Sequence, residues 1–481
     1  MSRLRFMFVT LFLGCCVWCH SGYAATINAA SCSSASVQTA IGSSSDGDTV
    51  AVPAGACTWT APVSYCKSIT LQGAGSSSTT ITVNTGSGWG NDAIFVQGCS
   101  GKQMRITGFT WQYQSADSFG ILYFTGGTGL SLRLDHNTFK PNPTSPGYGR
   151  FLSFSVPAIS PGVVIDHNTI TDLGLIVQGS GSTAWNQAMP FETVNAVYFE
   201  DNSFGYPNFA SHQVDIDCDS GAAYVFRHNS VSSNAISNHG YDSVANGCRM
   251  QNVYLNTISP NGVSNWGIQY RGGTGVVWSN TFTSHATGQD FGITNYRSNN
   301  SGQADIHLPF CSGSNAVDGN VSNGWPCYQQ IGRGSGTSNG GLVSQPLYAW
   351  DNCTTSLRCL GGSNQISATV YNNFSATTDY TTQHIVQNRD FYDAQSTGCT
   401  TNQTTGVCIG LLSARATSCT TGVAYWATDQ GLQGTLYQCG SGNGWNTFYS
   451  PYTYPHPLLN VSVGGAAKAA KPPTGLAVIV K

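Results

Sequence analysis

A short frame built around asparagine recurs along the chain and limits what the chain can fold into. The frame reads apolar, any, apolar, any, any, Asn, any, apolar, and it spans residues 132–139, 163–170, 197–204 and 224–231, with weaker copies at 251–258 and 275–282. Its asparagines stand at positions 137, 168, 202, 229, 256 and 280, so the copies are 31, 34, 27, 27 and 24 residues apart. Such spacing indicates a stack of similar units that bury their apolar faces against one another. Because the apolar positions alternate, each unit is predicted to contain a short strand.

Asparagine suits the end of such a strand for two reasons. It tolerates the left-handed conformation that a tight bend requires. Its amide can also hydrogen-bond to the asparagine of the neighbouring unit, as in other stacked amide ladders. The frame therefore predicts a row of side-chain amides that runs along the stack.

The composition excludes several other classes of protein. Charged residues make up only 9% of the chain, with 19 Lys and Arg against 22 Asp and Glu, which excludes a highly charged disordered chain and gives no basic surface for nucleic acid. Gly accounts for 57 of the 481 residues, and Ser, Thr and Asn are plentiful. These residues are poor helix formers, so a helical protein is also excluded.

The first 24 residues are predicted to be a signal peptide. Arg3 and Arg5 precede an apolar run over residues 6–19, and small residues follow, so cleavage is expected after Ala24 or Ala25. A lipoprotein signal with Cys15 as the modified residue is the alternative. The apolar run is too short to span a membrane. The protein is therefore expected to be secreted, in an extracellular, periplasmic or cell-surface location.

The cysteine count agrees with export. Three of the 17 cysteines lie in the signal peptide, which leaves an even number for an oxidising compartment. The sequence does not fix the pairing, but nearest-neighbour pairing would join 32–57, 66–99, 218–248, 311–327, 353–359, 399–408 and 419–439. Zinc binding is disfavoured, because no CxxC pair has a matching second half.

The region before the first asparagine frame has a different sequence pattern. Val37, Ala40 and Ile41 predict a brief amphipathic helix, followed by strands at residues 49–52, 68–72 and 79–83. A helix there would cover the open strand edges of the first unit, which are otherwise an aggregation hazard.

The strings GDTVAVPAG (47–55) and ITLQGAG (69–75), followed by the asparagine frames, resemble the secreted right-handed parallel β-helix proteins of the pectate-lyase-like superfamily. The resemblance covers well over half of the mature chain. It implies an all-β fold, a right-handed single-stranded parallel β-helix (solenoid) with a short N-terminal capping helix. It does not imply one chemistry, because the superfamily includes lyases, hydrolases, adhesins and proteins with no assigned activity.

The domain organisation follows from where the frame stops and resumes. The β-helix is predicted over residues 25–395, with an insertion at about 298–345 pinned by Cys311 and Cys327. Residues 396–460 hold four cysteines and many aromatic residues, which predicts a small disulfide-rich module at the far end of the stack. Its aromatic residues either form its core or stack on sugar rings. Residues 461–481 are predicted to be a flexible tail.

Three aspartates form a candidate metal site. In residues 214–219, alternation places Val, Ile and Cys on one face and Asp215, Asp217 and Asp219 on the other. Carboxylates so close repel one another unless a cation or hydrogen bonds offset their charge. Ca²⁺ is the ion expected there, because it binds carboxylate oxygens in flexible geometry. Alternatively, the last aspartate begins a turn and the other two are solvated.

Three arginines and a histidine complete the candidate site. Arg227, Arg249 and Arg271 are each 22 residues apart, close to one unit, so a row that binds the carboxylates of an acidic polysaccharide is one hypothesis. Their distances from the nearest asparagine disagree, so the alternative is three ordinary surface arginines paired with nearby aspartates. His239 is a candidate acid or base, or else a structural residue at a bend.

Within this region we predict catalysis by Arg249, Arg271 and His239. Arg227, Tyr241 and Tyr270 are predicted to contact the substrate. The order of Asp, His and Arg faintly resembles polygalacturonases, but the adjacent Asp pair and the Lys of those hydrolases are missing. A glycoside hydrolase, which needs two carboxylates at a fixed separation, is therefore disfavoured.

Two functions remain. The first is an extracellular lyase that acts on an acidic, uronate-containing polysaccharide; such an enzyme needs a base and positive charge to stabilise an enolate-like intermediate. The second is a non-catalytic β-helix protein that binds glycans or serves as a structural part of a surface or matrix. The low charge and the absence of a family-specific catalytic string favour the second, and the local cluster of charges favours the first.

Overall fold

The chain forms a stack of parallel β-strands with a small β-module packed on its side. The structure is a computed structural model, and it describes residues 24–86, 90–113, 120–142, 149–155, 162–180, 182–187, 192–194, 196–205, 216–232, 236–240, 246–259, 267–283, 290–294, 329–334, 343–354, 359, 366–370, 385–394 and 399–460. The predicted signal peptide up to residue 23, the tail at 461–481, most of the insertion, Asp215 and Tyr241 lie outside these residues.

Each turn of the chain contributes strands to up to three faces, as a parallel β-helix requires. The first face is a twelve-stranded sheet of Thr26–Asn28, Thr49–Val52, Thr70–Gly73, Gln103–Thr107, Ser131–Asp135, Val163–Asp166, Val197–Glu200, Ala223–Arg227, Met250–Tyr254, Val276–Trp278, Leu347–Trp350 and Phe391–Tyr392. The second face has nine strands: Gly55–Trp59, Thr79–Val83, Thr110–Tyr113, Thr138–Pro141, Thr169–Thr171, Ser203–Gly205, Ser230–Ser232, Thr257–Ser259 and Thr281–Phe282.

The third face consists of two sheets in succession. Five strands form its first part: Ile94–Gln97, Leu122–Thr125, Gly149–Ser155, Leu173–Gln178 and Ile216–Asp219. Four strands continue it: Ile236–Ser237, Ile268–Tyr270, Phe291–Ile293 and Thr369–Val370. The predicted all-β parallel β-helix is therefore confirmed.

The predicted asparagine ladder is present in the described residues, and it continues to Asn352, where the asparagine frame resumes after the predicted insertion. Each buried asparagine donates from Nδ2 to Oδ1 of the next one, at 2.9–3.2 Å. The series runs through Asn137, Asn168, Asn202, Asn229, Asn256, Asn280 and Asn352. The last step joins residues 72 positions apart, so the strand that follows the predicted insertion keeps the register of the ladder.

The left-handed residue of each bend is not the asparagine, contrary to the sequence-based expectation. It is the residue before it, which has φ between 49° and 58° at His136, His167, Asp201, His228, Leu255, Ser279 and Asp351. This arrangement buries the side-chain amide of the asparagine, while the left-handed residue before it lies at the outer surface of the stack or beneath the small β-module. The ladder therefore fixes the bend from inside.

The predicted capping helix spans Ser34–Ser43 and buries Val37, Ala40 and Ile41. Ser33 begins it by accepting a hydrogen bond from the backbone N–H of Ser36, a standard way to satisfy a free donor at a helix N-terminus. Lys67 closes the other end by donating from Nζ to the carbonyl of Ile41 at 2.7 Å.

Six of the seven nearest-neighbour disulfides form, and the seventh, Cys311–Cys327, lies outside the described residues. The six are Cys32–Cys57, Cys66–Cys99, Cys218–Cys248, Cys353–Cys359, Cys399–Cys408 and Cys419–Cys439. Disulfides of this number are typical of proteins from oxidising compartments. No helix in the described part of the chain has the length and apolar character needed to span a bilayer.

The disulfides should differ in what they contribute to stability. Cys218–Cys248 closes 30 residues, whereas Cys353–Cys359 closes 6. We expect the Cys218→Ala/Cys248→Ala variant to lose about 3–4 kcal/mol of unfolding free energy, and Cys353→Ala/Cys359→Ala about 2 kcal/mol, because a longer loop restricts the unfolded chain more. Chemical denaturation checks both values. Equal losses, or a larger loss for the short loop, would contradict this entropic explanation.

The C-terminal module packs along the outer side of the first face and not at the far end of the stack. Its main sheet consists of Val407–Gly410, Ala424–Ala427, Thr435–Cys439 and Trp445–Tyr449, and its smaller pair of Asn402–Gln403 and Ser418–Cys419. Apolar side chains from the module and from that face form a second core: Val164, Tyr198, Val225, Tyr254, Val276, Trp278, Tyr348, Trp350, Tyr392, Val407, Val423, Trp426, Leu436 and Tyr449. Most aromatic residues of the module are therefore packing residues.

Candidate functional site

Two of the predicted catalytic residues meet at one corner of the third face. Ile236–Ser237 and Ile268–Tyr270 are neighbouring parallel strands, paired Ile236 to Ile268 and Ser237 to Gln269. His239 and Arg271 lie equally far along the chain beyond the second of these pairs, and the backbone N–H of Arg271 donates to Asn238, so the two segments run side by side. We call these two residues and their immediate surroundings the His239–Arg271 corner.

His239 is oriented by the backbone. It is 8% exposed, and its Nδ1 lies 2.7 Å from the carbonyl oxygen of Gly240. Because a carbonyl only accepts hydrogen bonds, the neutral imidazole of His239 carries its proton on Nδ1. The backbone N–H of His239 donates to the carbonyl of Cys218 at 3.0 Å, which ties the residue to the disulfide-bonded strand of the preceding coil.

Arg271 is held against the same segment. It is 7% exposed, and its backbone N–H donates to Oδ1 of Asn238 at 2.6 Å. Its Nε donates to the carbonyl oxygen of Asn238, the residue before His239. The guanidinium stays protonated at any physiological pH. The corner thus combines a potential base with a fixed positive charge.

A glutamine from within the predicted insertion, Gln329, connects the segments that surround the corner. Gln329 donates from Nε2 to Oδ1 of Asn246 at 2.7 Å, and its Oε1 accepts from the backbone N–H of Gly247 at 2.8 Å. Its carbonyl also accepts from the N–H of Gly273 at 3.1 Å. Sequence reasoning missed Gln329, since it lies within the predicted insertion, where the asparagine frame is absent.

Gly273 shows how closely these segments approach one another. Its φ is 70°, and a Cβ placed there would overlap the carbonyl oxygens of Cys248 and Arg249. Only glycine satisfies both the left-handed backbone and this contact. The close approach keeps the Arg271 segment in contact with the Cys248 segment.

Asp217 and Asp219 lie on the last strand of the five-stranded part of the third face. Asp217 forms an ion pair with Arg150, with Nη2 and Oδ2 2.9 Å apart. Asp219 is 8% exposed, and its Oδ2 lies 3.4 Å from Nε2 of Gln178. Asp215, the third predicted ligand, lies outside the described residues.

These contacts bear on the predicted calcium ion. Arg150 already neutralises the carboxylate of Asp217, which weakens the electrostatic reason for a cation there. Among the described residues, one group brings three potential metal ligands together, namely Asp351, Cys353 and Cys359. Its two cysteines share a disulfide bond and offer no thiolates. Calcium at the aspartates stays a prediction.

Arg249, the third predicted catalytic residue, binds backbone groups of the protein. It is 2% exposed, and its guanidinium donates to the carbonyl oxygens of Ala184 and Gln187, at the end of the short helix Ser182–Trp185. Burial lowers the pKa of Arg249 to about 10. These contacts anchor a segment that is more than 60 residues earlier in the chain.

Arg227 and Tyr270, two of the three residues predicted to contact the substrate, lie in the protein interior. Tyr270 is fully buried in the main core and donates its hydroxyl to the carbonyl of Gln251. Arg227 is fully buried under the C-terminal module, so neither residue belongs to the His239–Arg271 corner. Tyr241 lies outside the described residues.

The three arginines do not form a vertical row. Arg227 ends a first-face strand and is in register with Tyr254, whereas Arg249 precedes the strand that contains Tyr254. Arg271 follows a strand of the third face. The equal spacing of 22 residues therefore does not place them at one register position, because the coils differ in length.

Instead, Arg227 joins the β-helix to the module. It pairs with Glu200, with Nη2 and Oε2 2.6 Å apart, and donates to the carbonyl oxygens of Tyr452 and Thr453 at 2.8 Å and 3.0 Å. Glu200 also accepts from the backbone N–H of His456 at 2.9 Å. This buried ion pair is thus shared between the two parts of the chain.

The other glutamate of the chain, Glu192, lies at the same junction. Glu192 accepts hydrogen bonds from the hydroxyls of Tyr254 and Tyr449 at 3.0 Å and 2.9 Å and from the backbone N–H of Tyr452 at 2.8 Å. Burial raises the pKa of Glu192 above its usual value. Both glutamates of the sequence therefore bind the module, which no local motif indicated.

Two histidines make this junction sensitive to acid. Burial, together with the charge of Arg227, lowers the pKa of His456 to about 4, and burial does the same for His228. Unfolding returns both to about 6.5, so the unfolded state binds more protons between these values. Their contribution to stability is therefore full above about pH 6.5 and is lost as the pH falls toward about 4.

A His456→Gln variant tests this expectation. Burial raises the pKa of Asp393 to about 7, which has the opposite effect on stability, but Asp393 contributes equally to both proteins. We expect the thermal unfolding temperature of the wild type to fall more between about pH 6.5 and about pH 4 than that of the variant. Identical pH dependences would show that His456 does not contribute.

The chain matches no protein-family model, and no curated protein or solved structure is detectably similar to it.

Proposed function

We propose that the protein is an extracellular, polysaccharide-active β-helix protein that cleaves an acidic, uronate-containing glycan by β-elimination at the His239–Arg271 corner. The observation that supports the proposal most is the side-by-side placement of an oriented imidazole and an arginine just beyond two paired strands. The predicted export signal, the disulfides and the resemblance to secreted β-helix proteins support an extracellular substrate.

The two side chains would perform different tasks. Nε2 of His239 would accept the proton from C5 of the uronate, because Nδ1 already carries one. Arg271 would bind the uronate carboxylate and stabilise the negative charge that develops on it as the proton leaves. The electron pair of the C5–H bond then forms the C4–C5 double bond, and the glycosidic oxygen leaves from C4 with the electrons of the C4–O bond. This oxygen takes a proton from water and becomes a hydroxyl, and the protonated His239 returns its proton to solvent. The product is an unsaturated uronate.

A panel of acidic glycans tests this activity. The mature protein should raise the ultraviolet absorbance of pectate, alginate or a glycosaminoglycan, because the new double bond is conjugated with the carboxylate. His239→Gln keeps an amide that can donate to Gly240 and should lower the rate by about 10²–10⁴-fold. Arg415→Lys, in the C-terminal module, is the control and should retain activity.

The same assay tests the predicted calcium ion. If calcium bound at Asp215, Asp217 and Asp219 holds the substrate, a chelator abolishes product formation and added calcium restores it. If the Arg150–Asp217 pair suffices, the rate does not change. No product from any glycan, with or without calcium, would contradict the lyase proposal.

A non-catalytic glycan-binding protein is the second candidate. The burial of Arg227, Arg249 and Tyr270 favours it, because these three side chains are engaged by protein groups. It predicts that an acidic glycan retards the protein in affinity electrophoresis while no unsaturated product forms. Retardation that persists in His239→Gln, with no product from the wild type, would favour binding over catalysis.

A further inference from the structure

Two exposed histidines stack on each other on the outer surface of neighbouring coils. The rings of His136 and His167 are nearly parallel, with an interplanar angle of 5° and centroids 5.2 Å apart. Their side chains are 60% and 45% exposed. Both residues occupy the left-handed position of the bend, with φ of 54°. The pair lies apart from the His239–Arg271 corner, on the bends between the first and second faces.

A buried carboxylate orients each ring. Nδ1 of His136 lies 2.8 Å from Oδ2 of Asp135, and Nδ1 of His167 lies 3.0 Å from Oδ2 of Asp166. Both aspartates are 0% exposed. A carboxylate accepts the Nδ1 proton, so in the neutral imidazoles both Nε2 atoms carry the lone pair. Histidines that bind metals commonly donate their other N–H to a carboxylate in this way.

The carboxylates are themselves fixed by arginines. Nη2 of Arg105 lies 2.6 Å from Asp135, and Nη2 of Arg133 lies 2.9 Å from Asp166. Each arginine also donates from Nε to the second oxygen of the same carboxylate, which gives a bidentate pair. The orientation of the two imidazoles is thus set by a hydrogen-bonded layer beneath them.

The same bend position in the next two coils is covered, which leaves His136 and His167 as the exposed histidines of this series. Asp201 and His228 hold the equivalent bend positions of the next two coils. The C-terminal module covers them, because Tyr454 stacks on His228 with ring centroids 3.6 Å apart and donates its hydroxyl to Asp201. His136 and His167 lie beyond the module and face solvent.

We propose that His136 and His167 form a surface site for one divalent transition-metal ion, with the two Nε2 atoms as protein ligands and water in the other positions. Imidazole is a preferred ligand of Cu²⁺, Ni²⁺ and Zn²⁺, and Cu²⁺ binds most tightly in the usual order. To share one ion at the normal metal–nitrogen distance of about 2.0–2.1 Å, the two exposed rings must tilt from their parallel arrangement until both Nε2 atoms point to it.

The test uses the full mature chain without an affinity tag and Cu²⁺ as the probe. Isothermal titration calorimetry should give one high-affinity ion per chain, and electron paramagnetic resonance should show two imidazole nitrogens on the copper. His136→Asn and His167→Asn remove one ligand each. Asparagine tolerates the left-handed backbone of these positions, so both variants should fold.

A shared site and two separate histidines give different results. If the ion is shared, either substitution lowers the affinity of the single ion at least about tenfold and leaves one nitrogen signal. If the histidines bind independently, each substitution removes half of the binding and leaves the affinity of the remainder unchanged, which would overturn the proposal. A variant with both substitutions, His136→Asn/His167→Asn, removes both ligands. If it binds Cu²⁺ with the same affinity and stoichiometry as the wild type, the proposal is overturned as well.

Discussion

Asn202→Ala is expected to lower the free energy of unfolding by about 4 kcal/mol or more. Nδ2 of Asn202 donates to the carbonyls of Ile165 and Glu200 and to Asn229, at 2.8–3.1 Å. Its Oδ1 accepts from both the backbone and the side chain of Asn168 at 3.0 Å. Each buried group left without a partner costs about 1–3 kcal/mol, and the substitution removes several bonds at once.

Chemical denaturation measures this loss, and Asn84→Ala is the control. Asn84 is an exposed asparagine outside the ladder, so its substitution should change stability by less than about 0.5 kcal/mol. A loss for Asn202→Ala no larger than that of the control would show that the ladder does not hold the coils together.

Arg227→Met is expected to destabilise the junction with the C-terminal module by about 3–5 kcal/mol. The substitution leaves Glu200 buried without its cation, and an unpaired buried charge is far more costly than a missing ion pair. Limited proteolysis should then release fragments of residues 399–460 faster than in the wild type, and chemical denaturation should show the lost stability.

A double variant separates the charge from the packing. Arg227→Met/Glu200→Gln removes both charges, so it should recover much of the stability lost in the single variant. Lys102→Met breaks an ion pair with Asp46 whose side chains are 30% and 51% exposed, and it should cost less than about 1 kcal/mol. If Arg227→Met behaves like Lys102→Met, the buried pair does not anchor the module.

The sequence predicted the fold well because its signals are local and repeated. The asparagine frame specifies one strand, one bend and one contact with the next coil, and Val37, Ala40 and Ile41 specify the capping helix in the same way. Nearest-neighbour pairing of cysteines also succeeded, since a stacked fold keeps residues near their neighbours in the chain.

The position of the module depends on contacts between distant residues, and the sequence-based prediction was wrong. One signal was present: Val164, Tyr198 and Val225 are apolar at the alternate, outward positions of first-face strands. Such residues require a covering surface, but their sequence does not say what covers them.

The candidate site was predictable only in part for the same reason. Both His239 and Arg271 were named from the sequence as candidates, but their proximity comes from the pairing of the strands that precede them and not from the spacing of 22 residues. The sequence did not show that Arg227 is buried beneath the module, nor that Gln329, within the predicted insertion, contacts the corner. Coil length varies, so equal spacing does not give equal register.

Release of unsaturated uronate by the wild type, His239→Gln, Arg271→Ala and the double variant tests the proposed activity most directly. If the two side chains act on one substrate, each single variant loses at least about 100-fold in kcat/KM, and the double variant loses much less than the product of the two losses. Wild-type rates in either single variant, or no product from the wild type on any acidic glycan, would contradict the proposed chemistry.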